Sequence, residues 1–170
     1  MKLIVFSGLP GAGKTNLAEA IGRQLGTPVF AKDWLEATLK RSQLGTEAVQ
    51  QTGYAAYELL TTLAERQLML GQSAILDSVL SIAKIREQWR ALAEKYQAQW
   101  RVIECICSDE NVHRQRLIQR QRGIPGWHEL EWCEVERVKG YYAAWTEARL
   151  VIDTLKPHPE NILEILEYLQ

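Results

Sequence analysis

Read as apolar against polar positions, the chain alternates short, mainly apolar segments with longer stretches of helical period. The runs are Leu3–Ser7, Pro28–Ala31, Ser73–Asp77, Arg101–Cys107 and Leu150–Asp153. Continuous rather than alternating apolarity marks strands buried on both faces. Helical spacing fits residues 14–25, 34–41, 47–70, 82–98, 110–121, 129–148 and 159–169. Strands and helices in turn predict an α/β fold, a parallel sheet covered by helices on both faces with right-handed crossovers. Ser81 stands where the N-cap of the fourth helix belongs, and Ile162, Leu163, Ile165, Leu166 and Leu169 make a core-facing stripe on the last. Residues 122–127, with two glycines and a proline, interrupt the helical pattern.

Composition narrows this picture. A length of 170 residues suits one domain over 1–170, long enough to hide about 70% of its unfolded surface. Hydrophobic content of 46% and charged content of 24% exclude a disordered, collagen-like or disulfide-stapled chain. The net charge of -1 disfavours a nucleic-acid or anionic-membrane binder, though not a local basic pocket for one small polyanion. No run approaches the ~20 apolar residues that cross a bilayer. Cys105, Cys107 and Cys133 are odd in number and contain no CxxC pair, so a reducing, cytoplasmic setting is expected. Cys105 and Cys107 read as small core residues on one strand face.

Chemistry enters with Gly8-Leu9-Pro10-Gly11-Ala12-Gly13-Lys14-Thr15, which fits G-x-x-x-x-G-K-[ST] between a strand and a helix. Glycines let consecutive N–H groups face inward as an anion nest, and the helix start adds its positive dipole end. Gly8, Pro10, Gly11, Ala12, Gly13, Lys14, Thr15 and Asn16 are therefore expected to hold a nucleotide, with Lys14 on the outer phosphates and Thr15 on Mg²⁺.

Ligands of open α/β sheets lie beyond the carboxyl ends of the strands. Asp33, after the second run, reads either as an N-cap with Glu36 completing a capping box or as the carboxylate that takes a proton from a substrate hydroxyl. Asp77 ends Ala74-Ile75-Leu76-Asp77 in the Walker-B form and would share Mg²⁺ with Thr15. Asp153 reads as turn chemistry.

Arg114, Arg116, Arg120 and Arg122 crowd one helical segment, Arg116 and Arg120 on one face, with Val112, Leu117 and Ile118 as anchors. The breakable stretch that follows makes residues 112–128 a candidate lid, and Arg116 or Arg120 the expected catalytic guanidinium. A solvated basic face paired with Glu129, Glu131, Glu134 and Glu136 is the plainer alternative. Trp89 and Trp145 suit the core; Trp34, Trp127, Trp132, Tyr54 and Tyr57 stand where they could line an acceptor pocket, but packing is the first reading for each of these aromatics.

Together, the loop Gly8 to Thr15, Asp33, Gly71-Gln72-Ser73 leading into Ile75-Leu76-Asp77, and the arginine segment 112–122 resemble small P-loop kinases. That group includes chloramphenicol phosphotransferase, zeta-toxin kinases, gluconate kinase and the kinase domain of polynucleotide kinase. The resemblance implies a three-layer P-loop NTPase fold with a five-stranded sheet in order 2-3-1-4-5, a lid after the fourth strand, and Asp33 as general base. Relatives place an Arg shortly after that Asp, but here Trp34-Leu35-Glu36 follows and the next basic residue is Lys40. The expectation is an ATP- and Mg²⁺-dependent phosphotransferase whose acceptor is a small-molecule hydroxyl, with an acceptor region near 34–70. Nucleic-acid and membrane partners are not expected. The alternatives are an ATP-binding regulatory module that transfers nothing, and a kinase of a nucleotide or RNA end.

Overall fold

A computed structural model describes residues 1–42 and 52–170. Five strands, β1 (Lys2–Ser7), β2 (Val29–Ala31), β3 (Ala74–Asp77), β4 (Gln99–Ile106) and β5 (Leu150–Asp153), pair in parallel in the order β2-β3-β1-β4-β5. The described helices are α1 (Lys14–Leu25), α2 (Lys32–Arg41), α3 (Thr52–Met69), α4 (Ala83–Lys95), α5 (Glu110–Gln119), α6 (Trp132–Tyr141) and α7 (His158–Tyr168). The expected sheet order is therefore the observed one, and the apolar runs map onto its strands. The expected helical residues 47–51 lie outside the described residues.

β1 is central because its inner residues, Leu3 to Phe6, are all apolar and buried. Leu3 and Val5 face one core with Leu60, Leu76 and Trp89, while Ile4 and Phe6 face the other with Leu17, Ile21, Ile103 and Ile165. Trp89 is fully buried, and its indole N–H donates to Thr61 Oγ1 at 2.8 Å, tying α4 to α3. Trp89→Ala removes that volume and leaves the hydroxyl without its donor. Unfolding free energy should fall by about 3–5 kcal/mol, read from denaturant melts with an unchanged slope.

Several local expectations fail for local reasons. Ser81 does not cap α4, whose N-cap is Ile82 without a side-chain bond; instead Ser81 is buried and its carbonyl accepts from Ala143 N. The helix expected over 129–148 shrinks to α6, because Arg86 reaches across to bond the carbonyls of Ala143 and Ala144. Trp145 consequently lies outside any helix, with the Arg86 guanidinium 3.7 Å from its ring centre. Leu163 and Ile118 point to solvent, and His113 takes the anchoring place assigned to Ile118. Cys105 is buried as expected, but Cys107 lies beyond the end of β4 and its thiol meets the Asp109 carbonyl.

Candidate active site

The loop between β1 and α1 builds an anion cradle. Gly8 has φ 131°, and a Cβ there would stand 2.1 Å from the Cys105 carbonyl oxygen, so no side chain fits. The chain then turns back, Ala12 N–H donating to the Leu9 carbonyl at 3.2 Å, and enters α1 through Gly13. First-turn N–H groups of a helix lack intrahelical partners and favour an anion. The buried Lys14 ammonium donates to the Leu9 carbonyl at 2.8 Å, which leaves it two further donors. Burial pushes its pKa down, against the pull of the Asp77 charge.

Pairing of β3 with β1 sets Asp77 beside Phe6, from where its Oδ2 accepts the Thr15 hydroxyl at 2.6 Å. Burial pushes the Asp77 carboxyl up, while Lys14 and Thr15 pull it down. No group of three or more His, Cys, Asp or Glu side chains able to hold a metal occurs among the described residues. One hydroxyl and one carboxylate meeting at a phosphate loop do fit Mg²⁺, which takes few protein oxygens and completes its shell with phosphates and water.

Pairing of β2 with β3 sets Ala31 beside Asp77, and α2 starts at once, so Asp33 stands at the same end of the sheet. Asp33 is not a cap. Ala31 occupies that position, and no side chain caps the helix. Nor does Glu36 close a capping box: Lys32 and Lys40 both pair with it, the latter at 2.8 Å. Burial works against the Glu36 charge, but the two lysines outweigh it and hold its pKa down. The partner of Asp33 is Arg122, whose Nη1 donates to Asp33 Oδ2.

The arginine segment divides into three roles. α5 ends at Gln119, so Arg120 and Arg122 lie in extended chain rather than on the helix face expected for Arg116 and Arg120. Arg116 is held by the Thr154 hydroxyl at 2.9 Å and carbonyl at 3.0 Å, in the loop after β5. Arg120 and Arg122 approach Glu129 Oε2 at 3.4 and 3.5 Å, yet their buried Nε and Nη2 atoms make no hydrogen bond. Burial and the Arg122 charge push the Arg120 pKa down. The plainer alternative thus holds in part: Glu129 serves both arginines, while Arg114 pairs with Glu110 rather than with the later glutamates.

Lys14, Thr15, Asp33, Asp77, Arg120 and Arg122 line one cleft of about 1100 Å³, and Arg116 stands at its Thr154 side. Trp34, Tyr54, Tyr57 and Trp127 line it too. Trp132 does not; it packs edge-on against His113, ring centroids 5.2 Å apart. The far end of α2 meets the stretch after α5, with Lys40 Nζ 4.6 Å from the centre of the Trp127 ring and Arg41 donating to the Pro125 carbonyl.

The sequence family described as AAA domain matches residues 3–138. The chain belongs to this AAA domain family. No curated protein matches the sequence. Among solved structures, the AAA domain protein is similar to a sugar kinase from Janibacter sp. HTCC2649, with TM-score 0.72 and 18% identity over 99% of this chain and 94% of that one. It is similar as well to a gluconokinase from Sinorhizobium meliloti 1021, TM-score 0.72, 17% identity, 99% and 91% covered. A third likeness is to Kti12 from Chaetomium thermophilum in complex with ADP-AlF3, TM-score 0.68, 20% identity, 99% of each covered. At such identities the likeness shows the fold, which is that of small P-loop kinases.

In this AAA domain protein the buried Asp77 charge costs the empty protein stability. A carboxyl whose folded pKa is raised stabilises the fold below its unfolded pKa, and that stability is lost as pH rises through the folded value. Asp77→Asn keeps an acceptor for Thr15 and removes the charge. The ligand-free variant should melt higher at neutral pH, about 2–4 °C for each kcal/mol relieved, with a flatter pH dependence. Nucleotide should stabilise it less in the presence of Mg²⁺ than it stabilises the parent, read by thermal shift.

Proposed function

We propose that this protein transfers the terminal phosphoryl group of ATP to a hydroxyl of a small molecule. The observation that carries the proposal is the convergence of Lys14, the Thr15–Asp77 pair and Asp33 on one cleft. The P-loop N–H groups and Lys14 bind the phosphates, and Thr15 with Asp77 would hold Mg²⁺. The ion supplies charge neutralisation and alignment of the phosphates when bound. The acceptor hydroxyl gives its proton to an Asp33 oxygen as its own oxygen forms the new bond to phosphorus. The bond from that phosphorus to the ADP oxygen breaks, and ADP leaves.

Arg122 now holds one of the two Asp33 oxygens, Oδ2. Its Nε and Nη2 and those of Arg120 make no hydrogen bond, so phosphate oxygens would supply the acceptors that the resting lid lacks. Drawing Arg122 toward the phosphates also releases Asp33 for the acceptor. Tryptophan and tyrosine rings around Asp33 suit a small organic body, and a hydroxyl-bearing acceptor agrees with the sugar kinase and gluconokinase among the structural neighbours.

Incubation with γ-labelled ATP, Mg²⁺ and a library of small polyols, sugars and hydroxy acids tests the reading. Label should pass to one acceptor class. Release of label only as free phosphate, across the library, would support the regulatory-module alternative.

A further inference from the structure

His113 is the one buried histidine, 4% exposed on α5, and it lies behind the phosphate loop, outside the residues that line the cleft. Its Nε2 stands 2.7 Å from the Pro10 carbonyl oxygen. A carbonyl only accepts, so Nε2 carries the hydrogen. Burial pushes the His113 pKa down, which favours the neutral ring in that tautomer. Trp132 of α6 meets the ring edge-on, and a Cβ on Gly11 would stand 3.1 Å from both His113 Nε2 and Leu117 Cδ1.

The bond falls on a peptide unit that could otherwise turn over. Leu9 to Ala12 form a turn closed by the Ala12 N–H to Leu9 carbonyl bond, with Pro10 and Gly11 at its centre. Gly11 has φ 83°, the type II geometry. Pro also favours position i+1 of a type I turn, which differs by a flip of the central peptide. That peptide carries both the Pro10 carbonyl and the Gly11 N–H. No cis bond occurs among the described residues, so the two groups point in opposite directions. Holding the carbonyl against α5 turns the Gly11 N–H away from α5, toward the cleft that Gly11 lines. A flipped peptide would instead aim a carbonyl oxygen at the phosphates.

We propose that His113 is a positioning residue for nucleotide binding: its Nε2–H selects the peptide orientation in which the loop offers an N–H, rather than a carbonyl, to phosphate. The inference rests on the nucleotide binding contained in the proposed function. It also makes α5, the helix leading into the lid, a direct support of the cradle.

The test is calorimetric titration of the parent, His113→Leu and His113→Gln with ATP, inorganic tripolyphosphate and adenosine. A single hydrogen bond of ordinary strength predicts about 5- to 10-fold weaker ATP and tripolyphosphate binding for His113→Leu. Adenosine affinity should be unchanged, and His113→Gln, which restores an N–H at similar reach, should return to within about threefold of the parent. Equal loss for adenosine would mean general damage and overturn the inference, as would unchanged tripolyphosphate binding. If His113→Leu does not fold, nitrogen-15 spectra of the parent's histidines decide. An Nε2–H ring at His113 that shifts on adding tripolyphosphate supports the role, and an Nδ1–H ring sinks it. A parent that binds neither ATP nor tripolyphosphate would overturn the proposed function and this inference together, whereas the variant results bear on His113 alone.

Discussion

Lys14→Ala is expected to lower phosphoryl transfer by roughly 10²–10³-fold, the usual loss when one preorganised charge donor is removed from a site of developing negative charge. The ammonium is buried and, among the described residues, bonds the Leu9 carbonyl, which leaves it two donors to offer to outer phosphates. The same burial separates loss of function from loss of fold. An ammonium whose pKa is pushed down by desolvation is strained in the empty protein, but it also offsets the buried Asp77 charge; the two effects oppose, and its removal should leave a cooperative melt. Labelled product from a fixed acceptor, measured beside a thermal melt, checks both halves. Turnover within threefold of the parent would remove Lys14 from the chemistry; a lost melt would mean that its hold on the Leu9 carbonyl and on the Asp77 charge outweighs the cost of its burial.

Much of the site was legible because its parts are local. The phosphate loop is one contiguous motif whose glycines answer to backbone geometry, and Gly8 illustrates this, its α-carbon lying against the Cys105 carbonyl. Asp77 was legible because a parallel sheet brings strand ends together, which put it in reach of Thr15. The sheet order came with the family resemblance rather than from the apolar pattern, which is silent on strand order. What could not be read depends on contacts distant in the chain. Asp33 and Arg122 are 89 positions apart, and no spacing rule joins them. The residues directly after Asp33, Trp34-Leu35-Glu36, include no arginine; folding brings Arg122 to Asp33 from the segment after α5, while Lys32 and Lys40 of α2 pair with Glu36. His113 is a lone histidine without a signature in the sequence, and the role proposed for it depends on a single carbonyl 103 positions away. The assumption that misplaced Arg120 was a continuous helix. α5 stops at Gln119, and the extended backbone of Arg120 turns the next residues toward α2 instead.

Asp33→Asn should abolish most transfer, a loss of about 10²–10⁴-fold if its carboxylate takes the hydroxyl proton, while ATP affinity stays within about threefold. The amide keeps an oxygen for Arg122 and nearly the same shape, so the change removes basicity with little disturbance of packing. It also weakens the hold on Arg122, and that must be separated from proton transfer. Arg122→Gln breaks the same ion pair from the other side and leaves Asp33 free. If Asp33 served only to position Arg122, both single variants and the double variant would show the same defect. If Asp33 is the base, Asp33→Asn is the more severe, and adding Arg122→Gln costs a further loss through the phosphates that Arg122 no longer meets. Rates for the four proteins, with ATP affinity measured separately, therefore give a coupling energy whose size distinguishes an ion pair from a proton acceptor. Full transfer by Asp33→Asn would end the case for Asp33 as base and leave the carboxylate a latch for the lid arginine.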